Sequence, residues 1–110
     1  MTTRHRTVGL ALAALLCVSC CPRQERLARV DALIADLEAI DGDIDRLLAD
    51  DLPPELRQEV LNLRLRVAAT MLQAGITGAM PCPDESEISD VAQNVLALQV
   101  ALIPLTPRLP

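Results

Sequence analysis

The 110-residue sequence contains no Phe, Tyr or Trp, no Lys and a single His. Without aromatic rings, the core must be built from Leu, Ile, Val, Ala and Met, and such side chains suit closely packed helices. The only His, His5, lies in a segment that we expect to be removed on export. The remaining chain would then have no imidazole or amine side chain for acid–base chemistry near neutral pH, which argues against an enzyme.

Positive charge is also scarce, because 10 basic residues face 15 acidic ones and the formal net charge is −5. Nucleic-acid binding needs an excess of cations along one surface, so the composition argues against it. Asp41, Asp43 and Asp45 have the spacing that begins an EF-hand loop, but Arg46 and Leu52 stand where that loop requires Gly and Glu. We interpret these acids as a solvated helix face, and we predict no metal, cofactor or small-molecule site.

The first 19 residues have the plan of a secretory signal peptide. Two Arg and no acid precede an almost wholly apolar stretch over residues 8–18, and small polar or thiol residues follow it. A helix that crosses a bilayer needs roughly 20 apolar residues, so this stretch is short for a permanent span. We therefore predict that residues 1–19 are cleaved from the mature protein.

Three cysteines, Cys17, Cys20 and Cys21, lie at the end of the apolar stretch. Over residues 1–21 the sequence resembles a bacterial lipoprotein precursor, in which a cysteine after the apolar run is diacylated and becomes the new N-terminus. The resemblance favours Cys20, since Ser19 precedes it as the pattern prefers, although Cys17 occupies a position where Leu is usual. Cys21 is the alternative lipid site, and an ordinary secretory signal without lipid is a further interpretation.

The resemblance implies where the protein lives. Members carry two or three acyl chains, and more than one chain is needed for stable attachment to a membrane. In Gram-negative members an Asp after the lipidated Cys retains the protein in the inner membrane. Here Cys21 or Pro22 follows, so the expected location is the periplasm-facing outer membrane.

The rest of the chain predicts an all-α fold. After a tether over residues 20–22, apolar residues recur at alternating intervals of three and four within a helical domain over residues 23–103. The three apolar stripes are Leu27, Val30, Ile34, Leu37, Ile44 and Leu48, with Asp41 in one gap and Leu33, Ile40 and Leu47 running beside them; Leu56, Val60, Leu63, Val67, Met71 and Ala74; and Ile88, Val91, Val95, Leu98 and Leu102.

Prolines, glycines and a cap set the expected limits of these helices. Pro53 and Pro54 start the second helix, Gly75 ends it, Asp84 caps the third and Pro104 closes it. Short loops favour antiparallel neighbours, which gives a small three-helix bundle or a helical hairpin plus a third helix. We expect the tail over residues 104–110 to be irregular.

A fourth cysteine, Cys82, follows the second helix. An antiparallel arrangement brings it back to the end where Cys21 precedes the first helix, so a Cys21–Cys82 disulfide is possible if Cys20 carries the lipid. If Cys21 carries the lipid instead, Cys82 is left as a small apolar residue or a site of intermolecular pairing.

These observations favour a non-enzymatic cell-envelope lipoprotein that acts as a membrane-anchored spacer, adaptor or assembly subunit. Its helical faces could bind another envelope protein. The alternatives are a phage-type lysis lipoprotein of the outer membrane, similar to a spanin, and an uncleaved single-pass inner-membrane protein.

Overall fold

The computed structural model describes residues 21–108, in which three α-helices are followed by a 3-10 helix. Helix α1 spans Arg23–Ala49, α2 spans Pro54–Ala79, α3 spans Glu85–Leu102, and the 3-10 helix spans Ile103–Arg108. Each α-helix packs against the other two. The predicted all-α three-helix bundle is thus confirmed, whereas the predicted signal peptide and Cys20 lie outside the described residues.

The helices run up, down and up. Cys21, before α1, meets Cys82, after α2, and further along these two helices Asp45 forms an ion pair with Arg64. Arg29 near the start of α1 pairs with Glu85 at the start of α3. We call the end that holds these starts the tether end, and the opposite end the distal end. With 27 residues in α1, the two are about 40 Å apart.

Every buried apolar side chain in the core is aliphatic. The core consists of Val30, Leu37, Ile40, Ile44, Leu47, Leu52, Val60, Leu63, Val67, Ala74, Ile88, Val91, Val95, Leu98, Leu102 and Leu105. The stripe predicted for α3 is fully buried. In α1 the core runs through Ile40 and Leu47, and the predicted Ile34 and Leu48 are only partly buried at its edge.

Asp41 shows why the α1 stripe shifts. The sequence pattern placed it in the gap between Leu37 and Ile44, but Ile40 fills that place and is 4% exposed. The Asp41 side chain is 42% exposed and lies on the α2 flank, where its Oδ1 atom is 3.8 Å from Nε of Arg64. A carboxylate in the apolar core would lose its hydration, so the helix turns its isoleucine inward instead.

The prediction that Gly75 ends α2 is wrong, because the helix continues to Ala79. No described glycine takes the positive φ of a glycine stop. The helix ends at Met80, which is extended (φ −66°, ψ 143°) and precedes Pro81. Proline disfavours helical geometry in the residue before it, so Pro81 is the physical stop. Pro54 begins α2 as predicted, and the Asp84 side chain caps α3 by accepting from the Ser86 backbone N–H.

The tail also differs from its prediction as an irregular segment. Residues Ile103–Arg108 form a 3-10 helix, and Leu105 is only 5% exposed. Pro104 removes an N–H donor and closes the α-helix. Leu105 nevertheless follows Leu98 and Leu102 at the spacing of the buried stripe, so its burial holds the next turn against the core.

Glycine-to-alanine substitutions test how closely α1 and α2 approach. A Cβ added at Gly42 or Gly75 meets nothing within 4 Å, so Gly42→Ala and Gly75→Ala should each raise the free energy of unfolding by about 0.5–1 kcal/mol. A Cβ at Gly78 would lie 3.2 Å from Cγ1 of buried Val30. The free energy of unfolding of Gly78→Ala should therefore be about 1 kcal/mol lower than that of Gly75→Ala. Urea unfolding followed by circular dichroism measures both. Equal gains at the two positions would contradict the close approach.

Candidate functional site

The tether end is closed by a disulfide between Cys21 and Cys82, whose Cα atoms are 5.7 Å apart. Cys21 lies two residues before α1, and Cys82 lies in the loop between α2 and α3. The bond joins residues 61 apart in sequence, so it fixes the point at which the chain enters the bundle. The pairing that the antiparallel topology made possible is present.

Arg26 fastens the same loop to α1. Its Nη1 donates a hydrogen bond of 2.7 Å to the backbone carbonyl of Pro83, whose side chain is fully buried. Its Nε is buried and lies 3.5 Å from Oε2 of Glu85, the distance of an ion pair rather than of a short hydrogen bond. Arg29 pairs with the other oxygen of Glu85 at 2.6 Å. Sequence reasoning missed these arginines, because their partners lie 56 to 59 residues away.

The three alternately spaced acids of α1 are ion-pair partners in this structure. Asp41 and Asp45 both face Arg64 of α2, and Asp43 lies 3.6 Å from Arg46 one turn later. Among residues 21–108, no group of three or more His, Cys, Asp or Glu side chains is arranged to hold a metal ion. Asp41 and Asp45 instead link α1 to α2, and all three acids make this face of α1 polar.

A second apolar stripe runs along α2 on the side away from the core. We call it the α2 outer seam, and its seven exposed members are Gln58, Asn62, Leu65, Ala69, Leu72, Ile76 and Ala79. Leu65 is 70% exposed, Leu72 66% and Ile76 55%. The intervals alternate between four and three, and the stripe repeats the spacing of the buried one two residues later. The sequence alone contains this second stripe, but our prediction for α2 included only the buried one.

A shorter apolar stripe, the α3 outer seam, consists of Leu96, Val100 and Ile103, which are 55–64% exposed. It makes Glu85–Leu105 apolar enough, with a mean hydropathy of 1.4, to cross a membrane by length and composition alone. A third of that window is buried in the bundle, and a helix of a soluble core passes the same test. We therefore interpret Glu85–Leu105 as a core helix with a second apolar face.

Acidic residues on a neighbouring helix lie beside each outer seam. A groove between α1 and α3 is lined by Arg29, Leu33 and Ala92, among other residues. Asp36 and Asp43 follow Arg29 at intervals of seven, so they continue along the α1 flank of this groove beside the α3 outer seam. The α2 helix has no charged residue after Arg66, and the charge beside the tether-end half of the α2 outer seam is Glu87 of α3, which lines a groove with Leu72 and Ile76.

Comparison of the chain with protein-family models, curated proteins and solved structures finds no match in any of the three. The functional argument accordingly depends on this chain's own residues.

Removing the disulfide should lower the free energy of unfolding by about 4 kcal/mol, the chain-entropy value for a closed loop of this length. The measurement is urea unfolding of a soluble form beginning at Cys21, compared with its Cys21→Ser/Cys82→Ser variant. Reducing agent should bring the parent to the midpoint of the variant and leave the variant unchanged. Identical midpoints for the oxidised and reduced parent would show that the bond does not constrain the fold.

Proposed function

We propose that this protein is a non-enzymatic cell-envelope lipoprotein, anchored through Cys20, whose helical bundle serves as a spacer, adaptor or assembly subunit. The observation that carries the proposal is the Cys21–Cys82 disulfide at the tether end. It bears both on the compartment and on the choice of lipid site.

Redox chemistry supports the proposed compartment. Structural disulfides persist in oxidising environments such as the bacterial periplasm and are rare in the cytosol. A bond that closes the bundle at its point of chain entry is therefore consistent with export, which is what the charged and apolar N-terminal sequence predicts.

Valence supports the choice of Cys20 as the lipid site. A cysteine sulfur can form a thioether to a lipid or a disulfide to another cysteine, but not both. The sulfur of Cys21 is bonded to Cys82, which disfavours Cys21 as the lipid site and supports Cys20, the other cysteine that fits the lipoprotein pattern. The same choice places Cys21, and not Asp, after the lipidated residue, which favours the outer membrane.

The anchor and the bundle would then be joined by a very short connection. Cys20 directly precedes a residue that is covalently fixed to the loop between α2 and α3, and Arg26 holds that loop through the Pro83 carbonyl. A force on the membrane anchor would be transmitted to the bundle through the covalent loop that the disulfide closes. Such a stiff junction suits a spacer or an assembly subunit better than a flexible tether does.

The helical order also bears on the alternatives. Lysis lipoproteins of the phage type are often proline-rich and irregular, whereas residues 23–108 here form three packed α-helices and a 3-10 helix. An uncleaved single-pass protein would keep residues 1–19 and would carry no acyl chain, so the size and lipid content of the mature chain separate it from a lipoprotein.

Palmitate labelling of the full chain tests the anchor. Cys20→Ala should abolish incorporation of labelled palmitate and leave an uncleaved precursor. Cys21→Ala should remain labelled and membrane-bound while losing the disulfide, and Cys17→Ala, the matched control inside the signal segment, should behave as the parent. The readouts are the label, the size of the product on a gel and its membrane fractionation.

Two results would contradict the assignment of the anchor. A Cys20→Ala/Cys21→Ala variant that still takes up palmitate and shortens normally would remove both lipid sites from consideration. A parent chain that stays at full length in the inner membrane without label would instead establish the single-pass alternative.

A further inference from the structure

We propose that the α2 outer seam is an interface between two copies of this chain, which pair in parallel with both tether ends at the membrane. The pairing is a two-stranded helical contact along Gln58, Asn62, Leu65, Ala69, Leu72, Ile76 and Ala79. It extends the proposed function, since the parallel orientation rests on the anchor, and it names the partner as a second copy.

The spacing of the seam supports this pairing. Seven consecutive exposed positions alternate at intervals of four and three over three heptads, or about 32 Å of helix. A helix with one apolar side needs only one partner surface. The buried stripe of α2 already packs against α1 and α3, so the α2 outer seam is a second apolar side. The outer stripe therefore supplies a complete second interface of coiled-coil type.

The polar members of the seam specify the orientation. If Asn62, Ala69 and Ile76 occupy the a positions, then Gln58, Leu65, Leu72 and Ala79 occupy the d positions. A single Asn at an a position is the device by which parallel two-stranded coils fix their register, at some cost in stability. In an antiparallel pair Asn62 would instead face the apolar end of the partner seam.

Electrostatics favours a second copy on this face. A two-fold symmetric contact places each surface against itself, so charges of one sign on that surface repel. One flank of the seam carries the neutral residues Leu61, Ala68 and Gly75, and the other carries Glu59, Arg66 and Gln73. Glu87 of α3 lies on the Gln73 flank, in the groove that Leu72 and Ile76 also line. In a parallel pair each flank faces its opposite, so Glu59, Arg66 and Glu87 all meet the neutral flank of the partner.

The α3 outer seam does not offer the same match. It has only three members, which span about 10 Å of helix, whereas the seven members of the α2 outer seam span about 32 Å. The α2 outer seam is thus the longer of the two apolar surfaces that a second copy could cover.

The membrane anchor would favour this pairing by aligning the two chains. Two chains that are fixed to one membrane by the same end are already aligned in parallel, and their confinement raises the effective concentration of each for the other. A seam of three heptads with alanines among its members would be weak in dilute solution, but it needs less intrinsic affinity on a membrane.

Matched glutamate substitutions in the full-length protein test the interface. Leu72 and Leu96 are similarly exposed, at 66% and 60%, and lie on different outer seams. In detergent solution, sedimentation velocity should show a dimer for the parent and for Leu96→Glu. Leu72→Glu should raise the dissociation constant by about a hundredfold, because each copy loses a buried leucine and gains a charge opposite its counterpart. Circular dichroism verifies that both variants remain helical.

Cross-linking in membranes tests the orientation. In a parallel pair, Asn62→Cys should join to its own copy through a short bis-maleimide and give a dimer band, and so should Ile76→Cys in a separate chain. In an antiparallel pair these positions, about 21 Å apart along the helix, would cross-link to each other and not to themselves. Val100→Cys on the α3 outer seam is the exposed control and should stay monomeric.

Other results would overturn the proposed dimer. A monomeric parent in both detergent and membranes overturns the proposal, and so does a dimer that is lost with Leu96→Glu but kept with Leu72→Glu. A larger complex with a different protein at this face would overturn it in favour of a heterologous partner. Palmitate labelling is read separately, so a dimer without label refutes the anchor alone, and a labelled monomer refutes the interface alone.

Discussion

The whole structure depends on burying aliphatic side chains at the spacing of three and four residues. With no aromatic residue in the sequence, the core must be filled by aliphatic side chains, and the sixteen core residues found among residues 21–108 are Leu, Ile, Val or Ala. These side chains are short enough for the helices to pack closely, as the 3.2 Å separation between an added Cβ at Gly78 and Val30 illustrates. Close packing in turn requires that polar residues such as Asp41 be turned out of the core.

A small aliphatic core has limited stability, and the tether end is where the chain adds to it. Domains of this size gain only a few kcal/mol from one core and often add a covalent link. The Cys21–Cys82 bond constrains the unfolded chain, while Arg26 satisfies the carbonyl of a buried loop residue in the folded one. These contacts lie together at the end where the proposed anchor enters, so that end is the most constrained part of the fold.

Most of the fold could be predicted because apolar periodicity and proline are local signals. The start of α2 at Pro54 and the cap of α3 at Asp84 were read from a few neighbouring residues. The errors have physical causes. Gly75 stays helical because the following proline, not a left-handed glycine, ends α2, and the tail stays helical because Leu105 reaches the core. The Cys21–Cys82 pairing followed from topology, but the Arg26 and Arg29 contacts did not, because they need the actual juxtaposition of α1 with a loop more than 50 residues away.

The apolar composition itself leads to the outer seams. Residues of apolar type make up 51% of the chain, and three helices with one core face each do not hide them all. Leu65, Leu72 and Ile76 remain largely exposed and are aligned along α2, whose second half carries no charge. Scattered apolar surface residues are ordinary, but a row that repeats the heptad spacing of the core is the surface expected of an interface. The same physical rule that assembles the bundle therefore applies on its outside, with the second face of α2 arranged to meet another helix of like pattern.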